Sequence, residues 1–208
     1  MRTNNLRRAA VVTGVLSLAL LAGGCGGSGM DHGTMGNGSP TSAAAPRSGA
    51  TFNATDVKFA NDMIPHHRQA LDMAGTARSK AATPEVKALA DRIAEAQEPE
   101  IATMSGWLTA WGEPVPSPGG MHHGDMGGMG EMPGMMTDQE MRELSEATGK
   151  AFDTMFLRMM IKHHQGAVEM AGIEQAQGQD AAVKQLAARI AADQTAEITE
   201  MQGLLAKL

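Results

Sequence analysis

Met63-Ile64-Pro65-His66-His67-Arg68-Gln69-Ala70-Leu71-Asp72-Met73-Ala74 returns, at a constant offset of 97 residues, as Met160-Ile161-Lys162-His163-His164-Gln165-Gly166-Ala167-Val168-Glu169-Met170-Ala171. The register extends in both directions without a gap. Phe59 recurs as Phe156, and Val86, Leu89, Ala90, Arg92 and Ile93 recur as Val183, Leu186, Ala187, Arg189 and Ile190. Gln97, Glu100, Ile101, Met104 and Leu108 recur as Gln194, Glu197, Ile198, Met201 and Leu205. A self-match of this length marks a duplication, and the unit must be read before any fold is assigned. From Val86 onward the apolar positions advance by three and four residues, the period of a helix with one buried face. Thr83 before Pro84 suits a helix start. Thr137 with Glu140 has the form of a capping box opening the third helix, and Asp180 is placed to cap the fourth. Each copy therefore reads as two helices. The prediction is an all-α four-helix bundle over residues 55–208, built from two duplicated αα-hairpins. Pro65 and Pro99 fall inside helices of the first copy and predict a kink or a local restart there. Their counterparts, Lys162 and Ala196, predict a straighter second copy.

Composition narrows the class. Only 3% of the 208 residues are aromatic, with no Tyr, which argues against a base-stacking nucleic-acid binder. The net charge of -6 argues against nucleic acid as a partner. A single Cys excludes an internal disulfide framework, a Cys-based zinc finger and a four-Cys iron–sulfur site. Against this background Met, at 18, is strongly over-represented, and seven His accompany it.

The N-terminal segment has the pattern of an export signal. Arg2, Arg7 and Arg8 precede an apolar run from Ala9 to Leu21, which is short for a bilayer span. Leu21-Ala22-Gly23-Gly24-Cys25 follows and resembles a bacterial lipobox, with Ala22 where Leu is usual. The expectation is a lipoprotein signal peptide over 1–24 and a lipid on Cys25. A Gly-, Ser- and Pro-rich tether over 25–54 would then join the membrane to the domain. The expected location is the outer face of a bacterial cytoplasmic membrane or the periplasm.

The chemistry lies in the Met and His residues. In the helical repeats Met63 precedes His66 and His67 by three and four residues, and Met73 follows two turns after His66. Met160 and Met170 stand likewise around His163 and His164. Imidazole and thioether on one stripe form a soft-to-borderline ligand set that suits copper, Cu(I) foremost, with Cu(II) or Ag(I) as further candidates. Thioethers need no deprotonation and escape the disulfide chemistry that Cys meets outside the cytoplasm. A Gly-rich loop over 112–136 carries Met121, His122, His123, Met126, Met129, Met132, Met135 and Met136. The tether carries Met30, His32 and Met35. Both read as ion-capturing segments, and a Gly-rich loop is expected to bury little apolar surface. Gln97, Glu100, Gln194 and Glu197 read either as supporting groups around a metal or as ordinary surface polarity. A Met stripe is also a common way to fill a core, so the case for ligands rests on the duplicated His pairs.

The doubled Met-Ile-X-His-His-X-X-Ala-X-X-Met-Ala pattern resembles the signature of the domain-of-unknown-function family 305. The resemblance implies a ferritin-like helical bundle, an exported setting and a link to copper binding and copper resistance. It implies Met63, His66, His67, Met73, Met160, His163, His164 and Met170 as ligands. The reading is a membrane-tethered copper-binding protein that buffers, sequesters or hands copper to an exporter or chaperone, without enzymatic activity and without an organic cofactor. Two rival classes stand beside it. One is a ferritin-like oxidoreductase dependent on metal or haem. Its di-iron form needs Glu-X-X-His, and no His here has Glu three residues before it. A blue-copper carrier would need a Cys ligand. The other rival is a helical interaction module that binds no metal.

Overall fold

The computed structural model describes residues 51–117 and 132–208. Cys25, Met30, His32, Met35, Met121, His122, His123, Met126 and Met129 lie outside the described residues. Five helices make up the fold: α1 (Ala54–Lys80), α2 (Pro84–Trp111), α3 (Asp138–Glu146), α4 (Gly149–Gln177) and α5 (Ala181–Leu205). Among the described residues there is no strand, only one isolated bridge between Ala81 and Gly149. The fold is all-α, and its four long helices form the two expected hairpins, α1–α2 and α4–α5.

The helix ends follow local chemistry, with two departures from expectation. Asp180 caps α5 by accepting from the backbone N–H groups of Ala182 and Val183. Thr137 and Glu140 do form a capping box, but it opens the nine-residue α3 rather than the third long helix. That helix, α4, starts afresh after Thr148 at Gly149, whose φ of 63° suits a residue without a Cβ. Thr83 stands at the N-cap of α2, yet its side chain makes no capping bond. An unanticipated capping box opens α1: the Asn53 side chain accepts from Thr55 and Asp56, while the Asp56 carboxylate accepts the Asn53 N–H. Neither interior proline breaks its helix, since α1 continues through Pro65 and α2 through Pro99. The carbonyls left without a helical donor belong to Asn61, half-buried, and Glu95, exposed, where water can reach them.

The hairpins meet through α1 and α4, and α2 touches α5 only sparingly. A pair of buried carboxylates locks this antiparallel arrangement. Asp56, at the start of α1, accepts from the backbone N–H groups of Gln179 (3.1 Å) and Asp180 (3.0 Å) in the turn between α4 and α5. Its counterpart Asp153, at the start of α4, accepts from Ala82 (2.9 Å) and Thr83 (3.0 Å) in the turn between α1 and α2. Each copy thus ties down the turn of the other, and both carboxylates are fully buried. The symmetry fails at one place. Glu174, whose counterpart is Ala77, is buried beside Asp56. Burial first, then the neighbouring negative charge of Asp56, push its carboxyl up to about 8, with Lys184 opposing.

The apolar core divides into two clusters. One gathers Met73, Ala74, Leu89, Ile93, Phe152, Phe156 and Met160. The other gathers Phe59, Met63, Ile64, Met104, Leu108, Met170 and Leu186. Full burial of such a side chain contributes roughly 1.5–3 kcal/mol, so these clusters are the main source of stability.

Candidate metal centre

His66, His67, His163 and His164 lie on α1 and α4, along the chain between the Met residues of the two apolar clusters. Successive helical residues diverge by about 100°, so a narrow buried face would hold only one of two adjacent His. Instead all four are fully buried. The reason is that α1 and α4 each pack on two neighbours, giving each helix a wide buried face. Antiparallel packing brings the two copies together: the rings of His66 and His163 lie 3.7 Å apart between centroids and tilted by 36°. The two His pairs therefore meet in one cluster. Met63 and Met170 share one apolar cluster, Met73 and Met160 the other. Met63, Met73 and Met160 are fully buried and Met170 nearly so.

The hydrogen bonds give the outer ring nitrogens fixed partners. His67 Nε2 lies 2.8 Å from Glu100 Oε2, and His164 Nε2 lies 2.7 Å from Glu197 Oε2. His66 Nε2 lies 3.1 Å from the carbonyl oxygen of Pro133. A carbonyl can only accept, so the Nε2 proton of His66 donates to it. The Nδ1 atoms of all four rings, together with Nε2 of His163, are buried without a partner. Buried polar atoms without partners are uncommon and each needs a cause. Burial drives His66 down to about 3, with a further push from the nearby His67. It also lowers His67, against the pull of Glu100, and sends His163 well below the ordinary histidine value. Neutral imidazoles retain the lone pair that a metal ion requires.

As they stand, no three His, Cys, Asp or Glu side chains among the described residues converge tightly enough to chelate an ion. The donor set nevertheless fits a soft cation: bare imidazole nitrogens with buried thioethers on either side.

The final turn of the Met-rich loop is part of this core. Pro133 reaches His66, and Gln69 clamps Met136 through both of its backbone groups, donating to its oxygen at 2.8 Å and accepting from its nitrogen at 2.7 Å. Gly134 has φ 79°, and a Cβ there would lie 2.6 Å from the carbonyl oxygen of Lys162. A Cβ on Gly166 would collide with the Pro133 carbonyl. The expectation of a loop that buries little therefore fails for 132–136. Met136 is 2% exposed and belongs to the cluster of Met73 and Met160, while Met132 and Met135 are half-buried.

Several residues that hold this centre or its helices in place were not singled out from the sequence. Asp56 and Asp153 obey the same 97-residue offset as the histidines, so the repeat itself carried the signal. Glu100 and Glu197 were recognised as recurring polar residues without an assigned partner. Gln69 and Gly166 occupy equivalent positions but differ in type, and that difference marks where the loop crosses. Gln97 and Gln194 are buried, with amide atoms that lack partners.

Comparison with known proteins agrees with this architecture. The sequence matches the family described as Domain of unknown function (DUF305) over residues 56–205. A DUF305 protein from Streptomyces coelicolor, thought to be secreted, is 37% identical. Its structure aligns with a TM-score of 0.65 over 74% of this chain and 91% of that one. CopM in its Cu(II)-bound form is 38% identical, with a TM-score of 0.62 over 73% of this chain and 96% of that one. CopM in its Cu(I)-bound form is 34% identical, with a TM-score of 0.60 over 74% and 98%. CopM has also been seen with silver bound. Among curated protein sequences none matches significantly.

Proposed function

The chain belongs to the DUF305 family, and from that premise we propose that it is an extracytoplasmic copper-binding protein, tethered to the membrane through a lipid on Cys25. Its cargo is Cu(I) foremost, with Cu(II) and Ag(I) as further ions. The observation that carries this reading is the set of partnerless Nδ1 atoms on four buried histidines, flanked by buried thioethers. Copper- and silver-bound forms of CopM, a structural neighbour of comparable identity, support the choice of ion. The role is buffering, sequestration or handover to an exporter or chaperone. The Met and His residues of the tether and loop collect ions, and the core holds them. It is a binding role, with no catalytic step and no organic cofactor.

The test is metal analysis of the domain after exposure to Cu(I), Cu(II), Ag(I) and Zn(II), with and without residues 121–131. The shortened protein should retain Cu(I) and Ag(I). Replacing His66 and His163 together with Leu should weaken Cu(I) binding by at least about a hundredfold, beyond the 10–100-fold usual for supporting groups. Preference for Zn(II) over every soft ion, or unchanged Cu(I) affinity in the folded double variant, overturns the reading.

A further inference from the structure

A metal-binding imidazole needs one nitrogen bare and aimed at the ion. Which nitrogen that is depends on where the ring's proton is held. In water a neutral imidazole exchanges between its two tautomers. In a buried site the choice falls to whatever acceptor stands at the ring's edge. The centre described above has three such acceptors, each at an Nε2 atom. Glu100 stands at His67, Glu197 at His164, and the Pro133 carbonyl at His66. The two glutamates are 97 residues apart, as are the two histidines, so the arrangement is duplicated. Each carboxylate side chain is 18–20% exposed, while each imidazole is fully buried. A carboxylate oxygen facing a ring N–H accepts from it. The opposite ring nitrogen, Nδ1, is left in the core without a donor or acceptor on both rings.

We propose that Glu100 and Glu197 are positioning residues: each accepts the Nε2–H hydrogen bond of its histidine, fixes the Nε2–H tautomer, and so presents the Nδ1 lone pair of His67 and His164 to a soft cation. The Pro133 carbonyl does the same for His66. His163, with neither nitrogen bonded, is the one ring free to choose. The carboxylate also makes the imidazole a stronger donor, because partial negative charge at Nε2–H raises electron density on the far nitrogen. This deepens the copper reading, on which its consequence for metal rests. The tautomer itself is a property of the metal-free protein.

That separation allows a decisive experiment. Long-range proton–nitrogen spectra of the metal-free protein, labelled with 15N at histidine, read each ring's tautomer directly. His67 and His164 should both appear as Nε2–H tautomers. Addition of Ag(I) should then move the Nδ1 signals of these rings and leave Nε2 protonated. Glu100→Gln with Glu197→Gln keeps an acceptor oxygen in place. This variant should retain the tautomer and bind Cu(I) only a few-fold more weakly. Glu100→Leu with Glu197→Leu removes the acceptor, and should release the tautomer and weaken Cu(I) binding by at least about tenfold in competition with a chelator. Thermal melts of both variants report folding separately. Nδ1–H tautomers in the parent protein overturn the proposal. So does a folded Leu variant with unchanged tautomer or unchanged Cu(I) affinity. If the Gln variant fails to fold, the parent spectra alone still decide. Nε2–H tautomers in a protein that binds no soft ion overturn the copper reading instead, and leave the positioning of the rings standing.

Discussion

The two hairpins are equal where they face each other and unequal where the loop crosses them. Asp56 matches Asp153, the His pairs match, and Glu100 matches Glu197 in what it bonds. At the crossing, Gln69 on α1 clamps Met136, while its counterpart Gly166 on α4 lies flat so that Pro133 can pass. A second inequality sits at the far end of α4, where Glu174 replaces Ala77. Duplication therefore builds the cluster, and divergence adapts each copy to a single asymmetric neighbour.

The largest expected effect comes from breaking the crossing. Gly166→Val puts side-chain atoms where the Pro133 carbonyl runs and forces 132–136 off the bundle. It also abandons the Gln69 clamp and exposes Met136. A loss of about 3 kcal/mol is expected, of the size usual for overpacking with a lost buried contact. Melting temperature should fall by roughly 6–12 °C for a domain of this size. The same substitution at Gly172, where a Cβ meets nothing, should cost far less. Deletion of 121–131 should leave the melt nearly unchanged, whereas deletion through 136 should match the Gly166 variant. Equal melts for the two deletions would show that the crossing contributes nothing.

Next in size is the pair of turn-locking carboxylates. Asp153→Ala orphans the N–H groups of Ala82 and Thr83 and should cost about 2 kcal/mol, the scale of hydrogen bonds to a charged acceptor. Asp56→Ala removes the acceptor of the corresponding N–H groups of Gln179 and Asp180. It also breaks the capping bond to Asn53, but frees Glu174 from its negative neighbour, which offsets part of the loss. Chemical denaturation of Asp56→Ala in the parent and in a Glu174→Gln background checks the offset. An equal cost in both backgrounds would mean that Glu174 and Asp56 do not oppose each other.

The smallest effect isolates Glu174 through pH. Its folded value, about 8, lies above its ordinary value of 4.5. The unfolded chain therefore gives up this proton first, and stability falls as pH rises from about 4.5 towards 8. Glu174→Gln cannot ionise. Its advantage over the parent should be near zero at pH 4 and grow steadily as pH rises towards 8, read as a widening difference in melting temperature. His66, His67 and His163 have the opposite sense. Their folded values lie below the ordinary 6.5, so their contribution weakens as pH falls below that value. An advantage for the Gln variant that grows towards acid pH would reverse the assignment.

The helices, their number in each repeat and the identity of the four histidines were readable from the chain because they depend on local period and residue type. The capping box at Thr137 was equally readable, yet it opened an extra short helix. A cap specifies a start without specifying length, and Gly149 restarts the chain soon afterwards. The Met residues of 132–136 looked like their neighbours in the loop because composition is blind to a clamp. Gln69 is 67 residues away from Met136, and nothing local marks either as a partner.

By itself the sequence determined the duplication, the helical period and a soft donor set placed twice on equivalent helices. Those properties live in spacing and side-chain chemistry, and survive any arrangement of the hairpins. Only the tertiary structure decided that α1 and α4 run antiparallel in contact, so that the two His pairs become one buried cluster. It also decided which ring nitrogens are bonded and which are bare. The physical reason is that burial and hydrogen bonding belong to pairs of distant residues. A glutamate becomes the partner of a histidine 33 residues earlier only when two helices pack in one particular register.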